Sequence, residues 1–358
     1  MKGFSLMNNS KLLKIIVALL VFSLLVPLSG CSLNNSKLER RQAQFIDLFD
    51  TATVIVQYTA TSEEFVETTD LIHEELETYH QLYDIYNNYP NLNNMKTIND
   101  QAGKSPVIVD DKIIDLLLFS KEMYHSTEGK VNIALGPVLK LWHDYREQGE
   151  NDPLKAKLPP MDQLEAANEH CDIDGLIIDE TAKTVFLRDP KMRLDVGAIA
   201  KGYSVERISE FASSIGFSEG LISVGGNIKV VGYKGDDREL WSIGIQNPDR
   251  DSEQKDLFVT HLTGESLVTS GDYLRYYTVE GKRYHHIIDP ETLFPATYFA
   301  AVTIITPDSG MGDALSTAIY NMPFEEGLSY IENLDDTEAV WVYSDGSTKF
   351  SSGFESLL

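Results

Sequence analysis

Asp313 and Thr317 stand four residues apart in "ITPDSGMGDALSTAIYNM". On a helix that spacing puts both on one face. A carboxylate and a hydroxyl are hard oxygen donors suited to Mg²⁺, which takes few protein ligands and fills its shell with phosphate and water. The same pair also fits a plainer role: an acid favoured near a helix N-terminus and a threonine bonding back to the preceding turn. A second candidate is "LDVGAIAKGYSVERI". Asp195 ends a strand-like run, Gly197 and Ala198 follow, and Lys201-Gly202 opens a helix. Amides at a helix start with a lysine in the first turn suit an anion such as phosphate, although the glycine spacing is not that of a P-loop. A third is "SGDYLRYYTVEGKRYHHIIDPETLFPA". Adjacent side chains on an extended segment face opposite ways, so His285 and His286 cannot share one task. One can face solvent while the other meets something that needs an imidazole.

Other elements must hold these residues in place. "ATVIVQYTA" alternates as a strand, and Thr61 with Glu64 gives a capping-box pattern. Behind it Phe65, Ile72, Leu76, Tyr79, Tyr83 and Tyr86 recur at helical spacing, predicting one long amphipathic helix that ends near Pro90. "DDKIIDLLLFSKEMYHSTEG" predicts a helix stopped by Gly129, and "ENDPLKAKLPPMDQ" a surface loop. "KTVFLRD" and "LISVGGNIKVVGY" read as strands. In the latter, Gly225-Gly226 interrupts the pattern, as a bulge or a close backbone approach would. Between them Ile208, Phe211, Ala212 and Ile215 mark a helix ending at Gly216. Turns at Glu280-Gly281 and Asp345-Gly346 predict two C-terminal hairpins. Helices and strands mix without regular βαβ alternation, so the fold class is α+β.

The N-terminus carries Lys2, Lys11 and Lys14 with no acid, then the apolar "IIVALLVFSLLVPLSG", then Cys31. The short run and its small residues before a cysteine resemble a bacterial lipobox. The expectation is a signal peptide over residues 1–30 and lipidation at Cys31, with a flexible leash over 31–45 and one catalytic domain over 46–358. This places the protein on the extracytoplasmic side of the cell membrane. The only other cysteine is Cys171, so no internal disulfide can brace the exported part. Formal charge is −25; the first thirty residues contribute +3, which leaves −28 for the rest. Such acidity argues against nucleic-acid binding and against electrostatic docking on anionic lipid.

Taken in order, "VNIALGPVLKLWHDY", "LDVGAIAKGY", "ISVGGNIKVVG", "SGDYLRYY…RYHHIIDP" and "GDALSTAIY" resemble the FAD:protein FMN transferase (ApbE) family. "FIDLFDTATVIVQY" is similar to its N-terminal strand. The likeness spans about residues 45 to 350. It implies an α+β fold, mostly antiparallel sheet with packed helices. It also implies Mg²⁺-dependent transfer of FMN from FAD to a Ser or Thr hydroxyl of an exported acceptor protein, releasing AMP. By this resemblance Ala198 offers its carbonyl to the metal, with Asp313 and Thr317 as side-chain ligands. Asn132, Asp195 and Lys201 fall at FAD contacts, the lysine near the diphosphate, and Ser270, on the paired strand, would line the same cofactor pocket together with His286. His286 matches the second histidine of the family's run and would take the alcohol proton, with strand alternation turning His285 away. A glycine common in the family is replaced here at Leu293 or Phe294, which bears on the local turn. Two alternatives remain at this level: a Mg²⁺-dependent FAD pyrophosphatase, and a non-catalytic flavin-binding lipoprotein.

Overall fold

The computed structural model describes residues 37–358. Cys31 and the stretch before it lie outside the described residues. Along the chain come β1 (Glu39–Phe45), β2 (Thr53–Thr59), α1 (Ser62–Tyr83), α2 (Met95–Asp100), β3 (Val107–Ile108) and α3 (Asp111–Ser126). Next are α4 (Gly136–Asn151), α5 (Met161–Asn168), β4 (Leu176–Asp179), β5 (Thr184–Leu187) and α6 (Ala200–Ser214). Then follow β6 (Gly220–Val224), β7 (Asn227–Val231), β8 (Trp241–Gln246), β9 (Asp256–Leu262) and β10 (Ser266–Gly271). The chain closes with β11 (Tyr276–Val279), β12 (Lys282–His285), β13 (Ala301–Thr306), α7 (Ser309–Tyr320), α8 (Phe324–Ile331), β14 (Glu338–Val342) and β15 (Thr348–Phe350).

Eight strands make one antiparallel sheet in the order β1-β2-β6-β7-β10-β13-β14-β15. Strand alternation sends neighbouring apolar residues to opposite faces. Ile55 and Ile304 pack with Ile72 and Leu76 of α1, Val205 and Ile208 of α6, and Leu315 of α7. Val56 and Ile305 pack on the other side with Trp241, Ile243 and Ile245 of the β8–β9 hairpin. The architecture is α+β, as the sequence predicts. A third, smaller core gathers Val138 and Trp142 of α4 with Tyr277 of β11, Ile288 and Leu293. Among the described residues, no helix is long and apolar enough to cross a membrane.

Three local expectations are corrected. The leash does not reach residue 45, because Glu39–Phe45 pairs with Thr53–Thr59 as β1. The long helix stops at Tyr83 and not near Pro90. There the Asp84 carboxylate accepts the Tyr86 and Asn87 amides (2.6 and 3.1 Å) and the Tyr89 hydroxyl (2.9 Å), which turns the chain out of the helix. Tyr86 leaves the buried stripe and is 53% exposed. Gly225-Gly226 is not a bulge. With φ of 61° and 93° between paired Val224 and Asn227, it is the two-residue turn of the β6–β7 hairpin.

Candidate functional site

The α6–α7 seam brings most of the candidate residues together. α6 begins without a side-chain cap of its own. Asp313, on α7, supplies one: its Oδ2 accepts the Gly202 amide at 2.8 Å and lies 3.7 Å from Lys201 Nζ. Such close approach needs glycine, since a Cβ on Gly202 would sit 2.2 Å from the Ser309 carbonyl oxygen. In a continuous helix the Gly202 amide would bond the carbonyl four residues back, that of Ala198. Its diversion to Asp313 leaves the Ala198 carbonyl open to another partner. One turn along α7, Thr317 Oγ1 lies 3.5 Å from Ser270 Oγ, which also bonds Ser316 Oγ at 2.9 Å. Ser270 is thus held at the end of β10 against α7.

The two histidines differ as opposite-facing residues should. His285 is buried. Its Nε2 lies 2.7 Å from the Ala296 carbonyl oxygen and its Nδ1 accepts the Ile287 amide at 3.2 Å. A carbonyl can only accept, so the proton is on Nε2 and the ring is neutral. Burial holds its pKa below the ordinary imidazole range. His286 is open to solvent. Its Nδ1 donates to the Arg275 carbonyl at 3.2 Å, which leaves the Nε2 lone pair facing outward. Water lost to the surrounding protein, then the Arg275 charge, the neighbouring His285 ring and the Lys201 and Arg146 charges, push its pKa well down. The ring sits recessed but reachable, and neutral near neutral pH.

Asp195 and Asn132 adjoin this centre through the backbone. The Asp195 amide donates to the Ile133 carbonyl at 2.8 Å, and its Oδ1 accepts the Gly197 amide at 3.0 Å. Asn132 spends its side chain locally, accepting the Ala134 amide (2.8 Å) and donating to the Cys171 carbonyl (3.0 Å). A ligand would meet only its remaining N–H or lone pair. Sequence reading missed Arg146, Arg193 and Arg275. Arg146 and Arg275 act on both His286 and Tyr86, and Arg193 acts on Tyr86. In a chain of net charge −25 they make a local positive basin. The hairpin turn at Glu280-Gly281 already sets Arg275 opposite His286, but no periodic pattern marks Arg146 or Arg193, so only folding brings those two in.

A divalent cation fits here by donor chemistry. Among the described residues, no cluster of three His, Cys, Asp or Glu side chains could hold a metal ion. The Ala198 carbonyl, the Asp313 carboxylate and the Thr317 hydroxyl are instead mixed hard oxygens with one formal charge. Such a set suits Mg²⁺ sharing its shell with phosphate, and Asp313 already faces a cation in Lys201.

The model of the ApbE family matches residues 50–341. An FAD:protein FMN transferase of Klebsiella pneumoniae (strain 342) is 33% identical over 256 residues, 71% of this chain and 76% of its own. One of Treponema pallidum (strain Nichols) is 33% identical over 272 residues, 72% and 73% of the two chains. Among solved structures, the ApbE protein of Thermotoga maritima aligns with a TM-score of 0.78 at 25% identity, covering 89% of this chain and 99% of that one. The flavin transferase ApbE from Vibrio cholerae shares the fold, with a TM-score of 0.73 at 22% identity over 89% and 100% of the two chains.

Proposed function

This chain belongs to the ApbE family, and from that premise we propose how it moves FMN from FAD to an acceptor protein. The acceptor group is a Ser or Thr hydroxyl, the leaving group is AMP, and the reaction needs Mg²⁺. The observation that carries this reading is the seam, where Asp313 is fixed at the α6 N-terminus beside Lys201 and the freed Ala198 carbonyl. Bound there with Thr317 as a further donor, Mg²⁺ would neutralise charge on the diphosphate and polarise the phosphorus. Lys201 binds the same phosphates as a point charge. Arg146 and Arg275 attract the anionic substrate into the basin.

His286 performs the proton step. The acceptor oxygen bonds to the FMN phosphorus as the bond from that phosphorus to the AMP oxygen breaks. Nε2 of His286 takes the hydroxyl proton, and AMP departs as the monoester anion. The Arg275 carbonyl holds the tautomer that this requires. The low pKa of the resting ring reflects first its desolvation and then nearby cations. Bound diphosphate offsets those charges and raises the ring's basicity.

Incubation with FAD, Mg²⁺ and a flavinylation-competent acceptor domain tests the reading. Covalent flavin on the acceptor with matching AMP supports it. Free FMN plus AMP would mark a pyrophosphatase, and intact FAD a mere binder. The cellular setting belongs to the same proposal. Lys2, Lys11 and Lys14, the apolar run and Leu28-Ser29-Gly30-Cys31 support lipidation of Cys31, anchoring at the extracytoplasmic face and an exported acceptor. A diacylglyceryl group anchors stably where one acyl chain would not. Cys31→Ser should block processing or release protein from the membrane fraction, and unchanged processing and retention would refute the anchor.

A further inference from the structure

A second carboxylate mirrors Asp313 across the seam. Glu206 lies on α6, four residues after Gly202, and Ser309 lies on α7, four residues before Asp313. Glu206 Oε2 accepts the Ser309 amide at 2.7 Å. Each helix therefore gives one carboxylate to an amide in the first turn of the other. The two bonds lie one turn apart, about 6 Å, and fix the antiparallel helices in both offset and rotation. Glu206 Oε1 is also 3.1 Å from Lys229 Nζ, and Lys229 donates to the Pro307 carbonyl. The clasp thus ties α6, β7 and the segment entering α7 into one unit.

Stability alone does not account for this arrangement. Glu206 is only 8% exposed, and burying a paired carboxylate generally gains little over apolar packing. Desolvation in fact pushes the Glu206 carboxyl above its usual range, against the pull of the Ser309 amide and Lys229. α7 also carries its own cap, since Asp308 accepts the Met311 amide at 2.8 Å. What Glu206 adds is location: it sets where α7 starts relative to α6.

We propose that Glu206 is a positioning residue for the divalent-cation site, acting through Ser309 to hold Asp313 and Thr317 in register with Ala198. The inference rests on the seam being that site. Mn²⁺ titrated into the full chain, followed through the electron paramagnetic resonance of free Mn²⁺, reads it without turnover. Glu206→Ala should weaken Mn²⁺ binding about 10- to 100-fold, the range seen when groups supporting metal ligands are removed. Glu206→Gln keeps an acceptor for the Ser309 amide and should fall between this and the parent, which leaves a readable variant if the alanine protein does not fold. Ile245→Ala, in the core on the opposite face of the sheet, should lower the melting temperature and leave Mn²⁺ affinity unchanged. A folded Glu206→Ala or Glu206→Gln protein with parental Mn²⁺ affinity would overturn the positioning role and leave the site assignment standing. A parent protein that binds no Mn²⁺, while Asp313→Ala behaves identically, would overturn both.

Discussion

The α6–α7 seam and the β11–β12 hairpin approach the same centre in different ways. The seam is buried, glycine-tight and clasped twice, so Asp313 sits at a helix start with little freedom. The hairpin carries His286 into an accessible position from a small core of its own. There Trp142 packs edge-on against Phe294 (5.1 Å) and lies near Tyr284 (6.3 Å), and its Nε1 donates to the Leu293 carbonyl at 2.9 Å. On the proposed mechanism one region fixes charge and the other presents a base. A diphosphate needs an immobile cation site. A protein acceptor needs an opening through which its hydroxyl can reach the imidazole.

The sharpest way to separate the two regions is His286→Ala. FMN transfer should fall ~10²–10⁴-fold, the usual cost of losing a general base. FAD affinity should stay within a few-fold, because the seam is untouched. Joint loss of FAD binding and melting temperature would instead make His286 a structural residue. Gly202→Ala attacks the other side. Its new methyl would meet the Ser309 carbonyl oxygen at 2.2 Å and Asp313 Cβ at 2.5 Å. Overpacking of this kind costs ~1–3 kcal/mol, visible in chemical denaturation, and the Mg²⁺ needed for turnover should rise. Normal stability and normal Mg²⁺ response would mean that the seam yields easily.

His285→Ala should behave unlike His286→Ala. It strands the buried Ala296 carbonyl and Ile287 amide, an expected loss of ~1–3 kcal/mol, with most of the transfer rate kept at temperatures where the protein is folded. The pH dependence has a fixed sign. The folded pKa of His285 is depressed, so the unfolded chain binds its proton more readily. Its contribution is intact above the unfolded value of about 6.5 and is lost as pH falls below it. Melting temperatures from pH 8 to pH 5 should therefore fall less steeply in the variant; a slope unchanged from the parent would count against this reading. The smallest effect is at Leu293, which holds φ of 61° while 5% exposed. A left-handed non-glycine residue costs ~1–2 kcal/mol. Leu293→Gly should thus be no less stable than Leu293→Ala, reversing the usual order, and a clearly weaker glycine variant would contradict it.

Motifs with local physics were readable before folding. The Thr61 cap accepts the Glu64 amide at 3.2 Å, and Glu280-Gly281 and Gly346 take the positive φ that their hairpins require. The split between His285 and His286 also follows from strand alternation alone. The departure at Leu293 or Phe294 is now placed: Leu293 is the residue in the glycine-favouring conformation. What could not be read depends on distant partners. Tyr86 fits the helical stripe, yet Asp84 ends the helix first by bonding three residues beyond it. Gly225-Gly226 fits a bulge as well as a turn until its flanking strands pair. Glu206 looks like any polar helix residue until Ser309, 103 positions away, comes to meet it. Arg275 stands opposite His286 in the β11–β12 hairpin, whereas Arg146 and Arg193 join the site only through tertiary structure.

The central claim is that seam and hairpin act on one FAD at one moment. A double-mutant cycle on Asp313→Ala and His286→Ala, read as single-turnover FMN transfer at saturating FAD and Mg²⁺, tests it most directly. Groups that serve one transition state lose far less together than the product of their separate losses. The account predicts a double variant hardly slower than the slower single one. Losses that simply multiply would show two independent contributions and contradict it.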